Sequence, residues 1–285
     1  MRKIVKLVKE LLFKLGLDKS VNFLINSGIV GKIHILLERL DTKSFREFYS
    51  MHMKEFEEVE SILEDDLSIR TYKAVIHYRC SGKREELLKC FVKPQYFQKD
   101  IFPVFVGDTF IDGGAFIGDV TEQVLRCVGG GYSRIYAWEP DRKNIEILNK
   151  IIENHPNVKN IPYALWSEKT TLYFSEEGTA GSKVVANHES TVKTISLEAN
   201  SIDNVHVEDK VSFIKMDIEG AEMYALKGAE HTIMRDRPNL AICIYHSFED
   251  LYRIPLYIKS LVPEYKIYIR HHSDRSIETV VYATL

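Results

Sequence analysis

Apolar positions along this chain change their period near residue 98, and that change divides it in two. From Arg2 to about Leu40 the apolar residues Ile4, Val5, Val8, Leu11, Leu12 and Leu15 recur at helical spacing. Lys3, Lys6, Glu10 and Lys14 occupy the opposite face, which predicts an amphipathic helix. A second helical stretch runs from Ser44 to Leu63, with Glu55, Glu57, Glu58 and Glu60 as a solvated face. Asp65-Asp-Leu-Ser68 carries a capping signal for a further helix towards Tyr78. Pro94-Gln-Tyr-Phe97 then breaks the pattern. The expected division is a small, mainly helical region over 1–97 and a larger domain over 98–285.

From Asp108 onward, short apolar runs alternate with helical periods. Strands are expected at Thr109–Asp112, Arg134–Trp138, Val158–Ala164, Val211–Asp217 and Leu240–Tyr245. Helices are expected at Gly118–Val128, Asp141–Asn154, Ala221–Met234 and Phe248–Leu261. Leu172–Phe174 and Thr191–Ile195 read as strands of a β-rich insertion. Its Gly178-Thr-Ala-Gly-Ser182 suits a lip over a site. Lys266–Arg270 and Thr279–Ala283 flank Asp274-Arg-Ser276 and form a closing hairpin. Alternating β and α predicts a doubly wound parallel sheet with right-handed crossovers, and the hairpin adds one antiparallel strand.

Composition narrows the function classes. The net charge is -3 with both signs dispersed, which argues against a nucleic-acid partner. Cys80, Cys90, Cys127 and Cys243 lack metal-ligand spacing, so reduced thiols in the cytoplasm are expected. No apolar run reaches the ~20 residues of a transmembrane helix. Charges interrupt the first apolar residues, so no signal peptide is expected. The basic first helix is expected to pack on its own domain or on another subunit of a homo-oligomer. Weak contact with a membrane surface is the alternative.

Candidate chemistry collects at expected strand ends, where ligands of open α/β sheets bind. Asp112, Gly114 and Gly118 have the spacing D-x-G-x-x-x-G. Glycines there let the backbone approach a ligand closely. Glu139 ends the second strand, where an acid accepts hydrogen bonds from ribose hydroxyls. Gly113-x-Ala115-x-x-Gly118 also reads as a degenerate dinucleotide fingerprint, so S-adenosylmethionine (SAM) and NAD compete. Three features favour SAM. Asp112 is an acid at the strand end, Asp217 adds a carboxylate at the fourth strand, and the hairpin fits a seven-stranded methyltransferase sheet. Tyr224 and Lys227 are one residue too close to form a dehydrogenase pair.

Phe110-Ile-Asp-Gly-Gly-Ala-Phe-Ile-Gly118, Trp138-Glu-Pro140, Ile214-Lys-Met-Asp-Ile-Glu-Gly-Ala-Glu222 and Ala225-Leu-Lys-Gly-Ala229 together resemble the FkbM family of SAM-dependent methyltransferases. The resemblance spans about Gln95 to Leu285. It implies a class I methyltransferase fold and methylation of a hydroxyl oxygen, often on a sugar or a secondary metabolite. By position, it implies that Asp112, Gly113, Gly114, Ala115, Phe116 and Gly118 hold the methionine end of SAM. Glu139 and Pro140 then lie at the ribose, and Ala164 and Leu165 near the adenine. S-adenosylhomocysteine is the implied product.

An alcohol acceptor gains from a general base. His246 follows an apolar strand and is the leading candidate, with Asp217 beside the cofactor; Glu219, Glu222, His271 and His272 are further candidates. Asp217 and Glu219 also suit a divalent cation, although the spacing shows no third ligand and no metal is expected. His271 and His272 should point to opposite faces, one towards substrate and one exposed. Arg270 and Arg275 read as solvated hairpin charges, with an anionic substrate group as the alternative. The favoured function is O-methyl transfer to a glycan-type or other small polyhydroxylated acceptor. An NAD-dependent oxidoreductase and a non-catalytic partner-binding module are the competing readings.

Overall fold

The computed structural model describes residues 41–102, 107–127, 132–175, 194–205 and 209–285. The expected helix over Arg2–Leu40 and the Gly178–Ser182 segment lie outside these residues.

Residues 41–51 are helical, and α1 (Met53–Ser61), α2 (Asp66–Ser81) and α3 (Glu85–Lys89) follow. The Asp65 carboxylate accepts from the Ser68 amide at 2.7 Å and starts α2 as its capping signal predicts. Gly82, in the left-handed region at φ 74°, ends that helix.

The main sheet holds β1 (Gly107–Gly113), β2 (Tyr132–Trp138), β3 (Val158–Ile161), β7 (Val211–Met216), β8 (Asn239–Cys243), β9 (Lys266–His271) and β10 (Thr279–Thr284). Their order is β3-β2-β1-β7-β8-β10-β9. Only β10 runs antiparallel to its neighbours, as expected of a closing hairpin. The helices between the strands are α4 (Asp119–Cys127), α5 (Arg142–Ile152), α6 (Glu222–Lys227), α7 (Glu230–Asp236) and α8 (Asp250–Leu261). A small second sheet contains β4 (Ala164–Leu165), β5 (Thr170–Ser175) and β6 (Thr194–Asn200) in the order β4-β6-β5.

Period-2 alternation supplies two buried faces. Ile111, Ile214, Ile242 and Val281 pack with the helices on one side. Phe110, Phe213, Cys243 and Tyr282 pack on the other with Phe97 and Phe102. The first core also contains Phe45, Phe56, Val59 and Tyr72, so the described amino-terminal helices share it. They also cover the edge strand β9, where Leu63 bridges Ile267 and Phe91 bridges His271. An uncovered edge would offer unpaired backbone groups to another chain.

Several expected elements differ. The single strand expected at Val158–Ala164 splits into β3 and β4, because Pro162 cannot donate to the ladder. The helix expected at Ala221–Met234 is two short helices broken at Gly228. A Cβ there would lie 2.2 Å from the Trp166 carbonyl oxygen. The insertion strands are longer than expected, and residues 191–193 lie outside the described set.

Arg270 is not solvated but 1% exposed, with Nη2 at 2.7 Å from both Asp65 Oδ2 and Asp100 Oδ2. His271 and His272 are both buried. His271 Nδ1 meets Thr279 Oγ1 at 2.9 Å, and His272 lies between the Val92 carbonyl and the Tyr282 hydroxyl. Neither ring is exposed as expected. The cause is tertiary, since the amino-terminal segment packs over the hairpin.

Candidate active site

β1 ends in a turn that needs unusual backbone. Gly114 has φ +75°, and a Cβ on it would stand 2.0 Å from the Asp217 carbonyl oxygen. Gly118, at φ +88°, lies against Leu148, whose Cδ1 would be 2.8 Å from a Cβ. Glycine meets both demands without strain. The Gly114 and Ala115 amides donate to the Trp138 carbonyl, which ties the turn to the end of β2. Phe116 (φ 51°) is exposed at its tip.

Beneath the turn, Asp112 and Lys215 form a sealed pair. Lys215 Nζ donates to Asp112 Oδ1 at 3.0 Å and to the carbonyls of Gly113 and Gly114 at 3.1 and 2.9 Å. Thr121 Oγ1 donates to Asp112 Oδ2 at 2.7 Å. Burial alone would lower the lysine pKa, but Asp112 together with Asp217 and its other neighbours outweighs it and raises it. The expected contact of Asp112 with a ligand is therefore indirect here: its carboxylate is sealed and acts by fixing the turn.

Glu139 reaches back into the same turn. Its Oε2 accepts from the Phe116 amide at 2.9 Å, and Oε1 from the Asp141 amide and Asn144 Nδ2. Burial raises its pKa. A carboxylate offers about four lone-pair sites, so three bonds leave room for one more donor such as a ribose hydroxyl. Pro140 follows at the same rim. Leu165 packs under the turn, its Cδ1 2.6 Å from where a Gly113 Cβ would be, and Ala164 precedes it.

Asp217 follows β7, and its amide donates to the Gly113 carbonyl. Tyr96 Oη donates to its Oδ2 at 2.9 Å and Tyr245 Oη to its Oδ1 at 3.1 Å. Glu219 (φ 57°) and Gly220 (φ 99°) then reverse the chain, so Glu222 turns back towards the same place. A left-handed conformation is costly for a residue with a Cβ, and such strain tends to gather at functional sites. Glu222 is fully buried, and its Oε1 accepts from the Ile218 amide. His246, just beyond β8, lies between these acids. Its Nδ1 is 3.0 Å from Glu222 Oε1, and its Nε2 is 3.5 Å from Asp217 Oδ1 and 3.8 Å from Glu219 Oε2. Neither ring nitrogen has an aligned hydrogen bond. Burial would lower the His246 pKa, but Glu222, Asp217 and Glu219 together raise it.

An FkbM methyltransferase domain matches residues 112–273, more than half of the chain. The chain belongs to the FkbM methyltransferase family. That membership bears out the methyltransferase reading of the sequence. A solved FkbM methyltransferase from Methylobacillus flagellatus KT matches over 84% of this chain at 26% identity, with a TM-score of 0.71. The match spans 60% of that longer chain. Fibrillarin of Aeropyrum pernix, solved with natively bound SAM, matches over 64% of this chain and 68% of its own at 15% identity and a TM-score of 0.41. No curated protein matches the chain.

In this FkbM family member, the strand-end residues read from the sequence form one connected group. The glycine turn, Glu139, Leu165 and Asp217 are linked by direct contacts, and His246 joins them through Asp217. His271 and His272 are not part of it. Sequence reading overlooked Lys215, Thr121, Tyr96 and Tyr245, and it gave Glu222 only as one further candidate base, not as the partner of His246. Lys215 left a signal, a charge within the mostly apolar run Val211–Met216. Tyr96 left none, because it meets Asp217 across 121 residues of sequence. Among the described residues, no helix is long and apolar enough to cross a membrane.

Proposed function

We propose that the chain transfers a methyl group from SAM to a hydroxyl oxygen of a glycan-type or other polyhydroxylated small molecule. When bound, SAM supplies an electrophilic methyl group on a cationic sulfur. Gly113, Gly114, Ala115, Phe116 and Gly118 form the wall along its methionine portion, held from below by Asp112 and Lys215. Glu139 and Pro140 take the ribose, and Ala164 and Leu165 flank the adenine. Asp217 gives its partly exposed carboxylate to the cationic end.

His246 carries the acceptor chemistry. The hydroxyl oxygen forms a bond to the methyl carbon as the carbon–sulfur bond breaks, and the sulfur keeps the electron pair. His246 takes the hydroxyl proton. The observation that supports this is Glu222 at 3.0 Å from Nδ1, a buried carboxylate that orients the ring and favours its protonated form. Nε2 then faces the mouth beside Asp217. Positioning supplies much of the rate for a reaction that needs in-line approach.

The free thiols of Cys80, Cys90 and Cys243 fit a cytoplasmic setting. The shared core also supports treating residues 41–97 as a cap built onto the methyltransferase domain.

The test is His246→Ala, assayed for SAM affinity by calorimetry and for turnover against a panel of sugars and polyols. Turnover should fall about 100-fold or more while SAM affinity holds. A variant with full turnover on the same acceptor would remove His246 as the base.

A further inference from the structure

Asp217, Glu222 and His246 each offer a ligand atom, and these atoms lie within 4.8 Å of one another. The closest approaches are 3.0 Å between Glu222 Oε1 and His246 Nδ1, and 3.5 Å between Asp217 Oδ1 and His246 Nε2. Bonds of about 2.1 Å to one tetrahedral ion set its ligands roughly 3.4 Å apart. The two acids flank opposite ring nitrogens, so an ion would take one of those nitrogens and draw the cluster, whose ligand atoms lie within 4.8 Å, together around it.

Two further observations point to a ligand. The Glu222 side chain has no exposure, and its Oε2 has no hydrogen-bond partner. The His246 side chain is 10% exposed, and both of its ring nitrogens are without an aligned partner. Buried polar atoms are rarely left so, because desolvation then goes uncompensated. The surrounding charge has the same sign. Glu219 also faces this imidazole, and Asp250 and Glu278 lie within electrostatic reach of it. The neighbouring cations are engaged elsewhere. Lys215 holds Asp112, and Arg79 holds the carbonyls of Tyr245 and Ser276.

We infer that Asp217, Glu222 and His246 form a binding site for one divalent transition-metal ion. One imidazole with two carboxylates suits Zn2+ or Mn2+ better than Mg2+ or Ca2+, which prefer all-oxygen sets. Asp217 is partly exposed, so a coordination position is open to the mouth. The inference goes beyond methyl transfer. An ion on His246 occupies a lone pair that proton removal would use, so loading the site should suppress turnover.

The test titrates the full chain, freed of metal, with ZnCl2 and with MnCl2 by calorimetry. One equivalent should bind to the wild type. His246→Ala and Asp217→Asn should each weaken it about 100-fold, while the control His155→Ala binds as the wild type does. Co2+ should give a visible absorption band with the wild type and not with His246→Ala. Melting curves establish that the variants fold, and Asp217→Asn preserves the side-chain volume. Absence of binding, or equal binding in both site variants, would overturn the site. Turnover separates this from the base reading. Loss of turnover with metal, at unchanged SAM affinity, supports both. A rise in turnover leaves the site standing and overturns His246 as the base.

Discussion

Lys215 Nζ lies 3.0 Å from Asp112 Oδ1, and both side chains are shut off from solvent under the glycine turn. The same ammonium holds the carbonyls of Gly113 and Gly114. The shape of the turn therefore depends on a charge sealed from solvent. Lys215→Met would leave a buried carboxylate without its partner. Stability should fall by roughly 3–5 kcal/mol, read from urea unfolding. A wild-type unfolding curve would show that the pair carries no such weight.

Gly114→Ala tests the close approach at the turn. At φ +75°, with a Cβ 2.0 Å from the Asp217 carbonyl oxygen, the alanine must push β1 and β7 apart. Strain of about 1–3 kcal/mol is expected, together with weaker SAM binding. Thermal melting and calorimetry on the same sample check both, and SAM affinity equal to wild type would mean the turn lies off the cofactor.

Glu139→Ala removes three hydrogen bonds to the turn and to the start of α5. It also removes the proposed ribose acceptor. SAM affinity should drop by ~1–3 kcal/mol. If calorimetry returns an unchanged dissociation constant, Glu139 is not at the cofactor.

Acid should loosen the hairpin before it affects the rest of the fold. Burial pushes His271 and His272 down to about 4 from an ordinary 6.5. Their folded pKa is depressed, so the unfolded chain takes up the protons first. The contribution is complete above pH 6.5 and is lost as pH falls towards 4. Asp250, raised by burial to about 6, works in the opposite direction over part of that range. His272→Gln should therefore flatten the loss of stability between pH 7 and 5. The measurement is unfolding free energy at several pH values, and parallel curves for variant and wild type would exclude the pair as the cause.

Much of the fold could be read because its signals are local. The cap at Asp65, the glycine spacing from Asp112 to Gly118, and the alternation through Val211–Met216 each depend on a few neighbouring residues. They were enough for the sheet, the closing hairpin and the acids at the strand ends. Misreadings arose where a distant contact overrode a local pattern. The helix after Glu222 breaks at Gly228, where the Trp166 carbonyl leaves no room for a side chain, and Arg270 is buried because Asp65 and Asp100 reach it from far back in the sequence.

By itself, the sequence determined the order of strands and helices and the family. Periodicity and turn chemistry act over a few residues, and the fold class follows from them. Only the tertiary structure decided what each charged side chain meets. It sealed Asp112 against Lys215, set Tyr96 on Asp217, and brought Glu222 to the other side of His246. Those partners come from different strands and loops. Their distances depend on how the sheet twists and how the helices close over it, and no spacing along the chain encodes that.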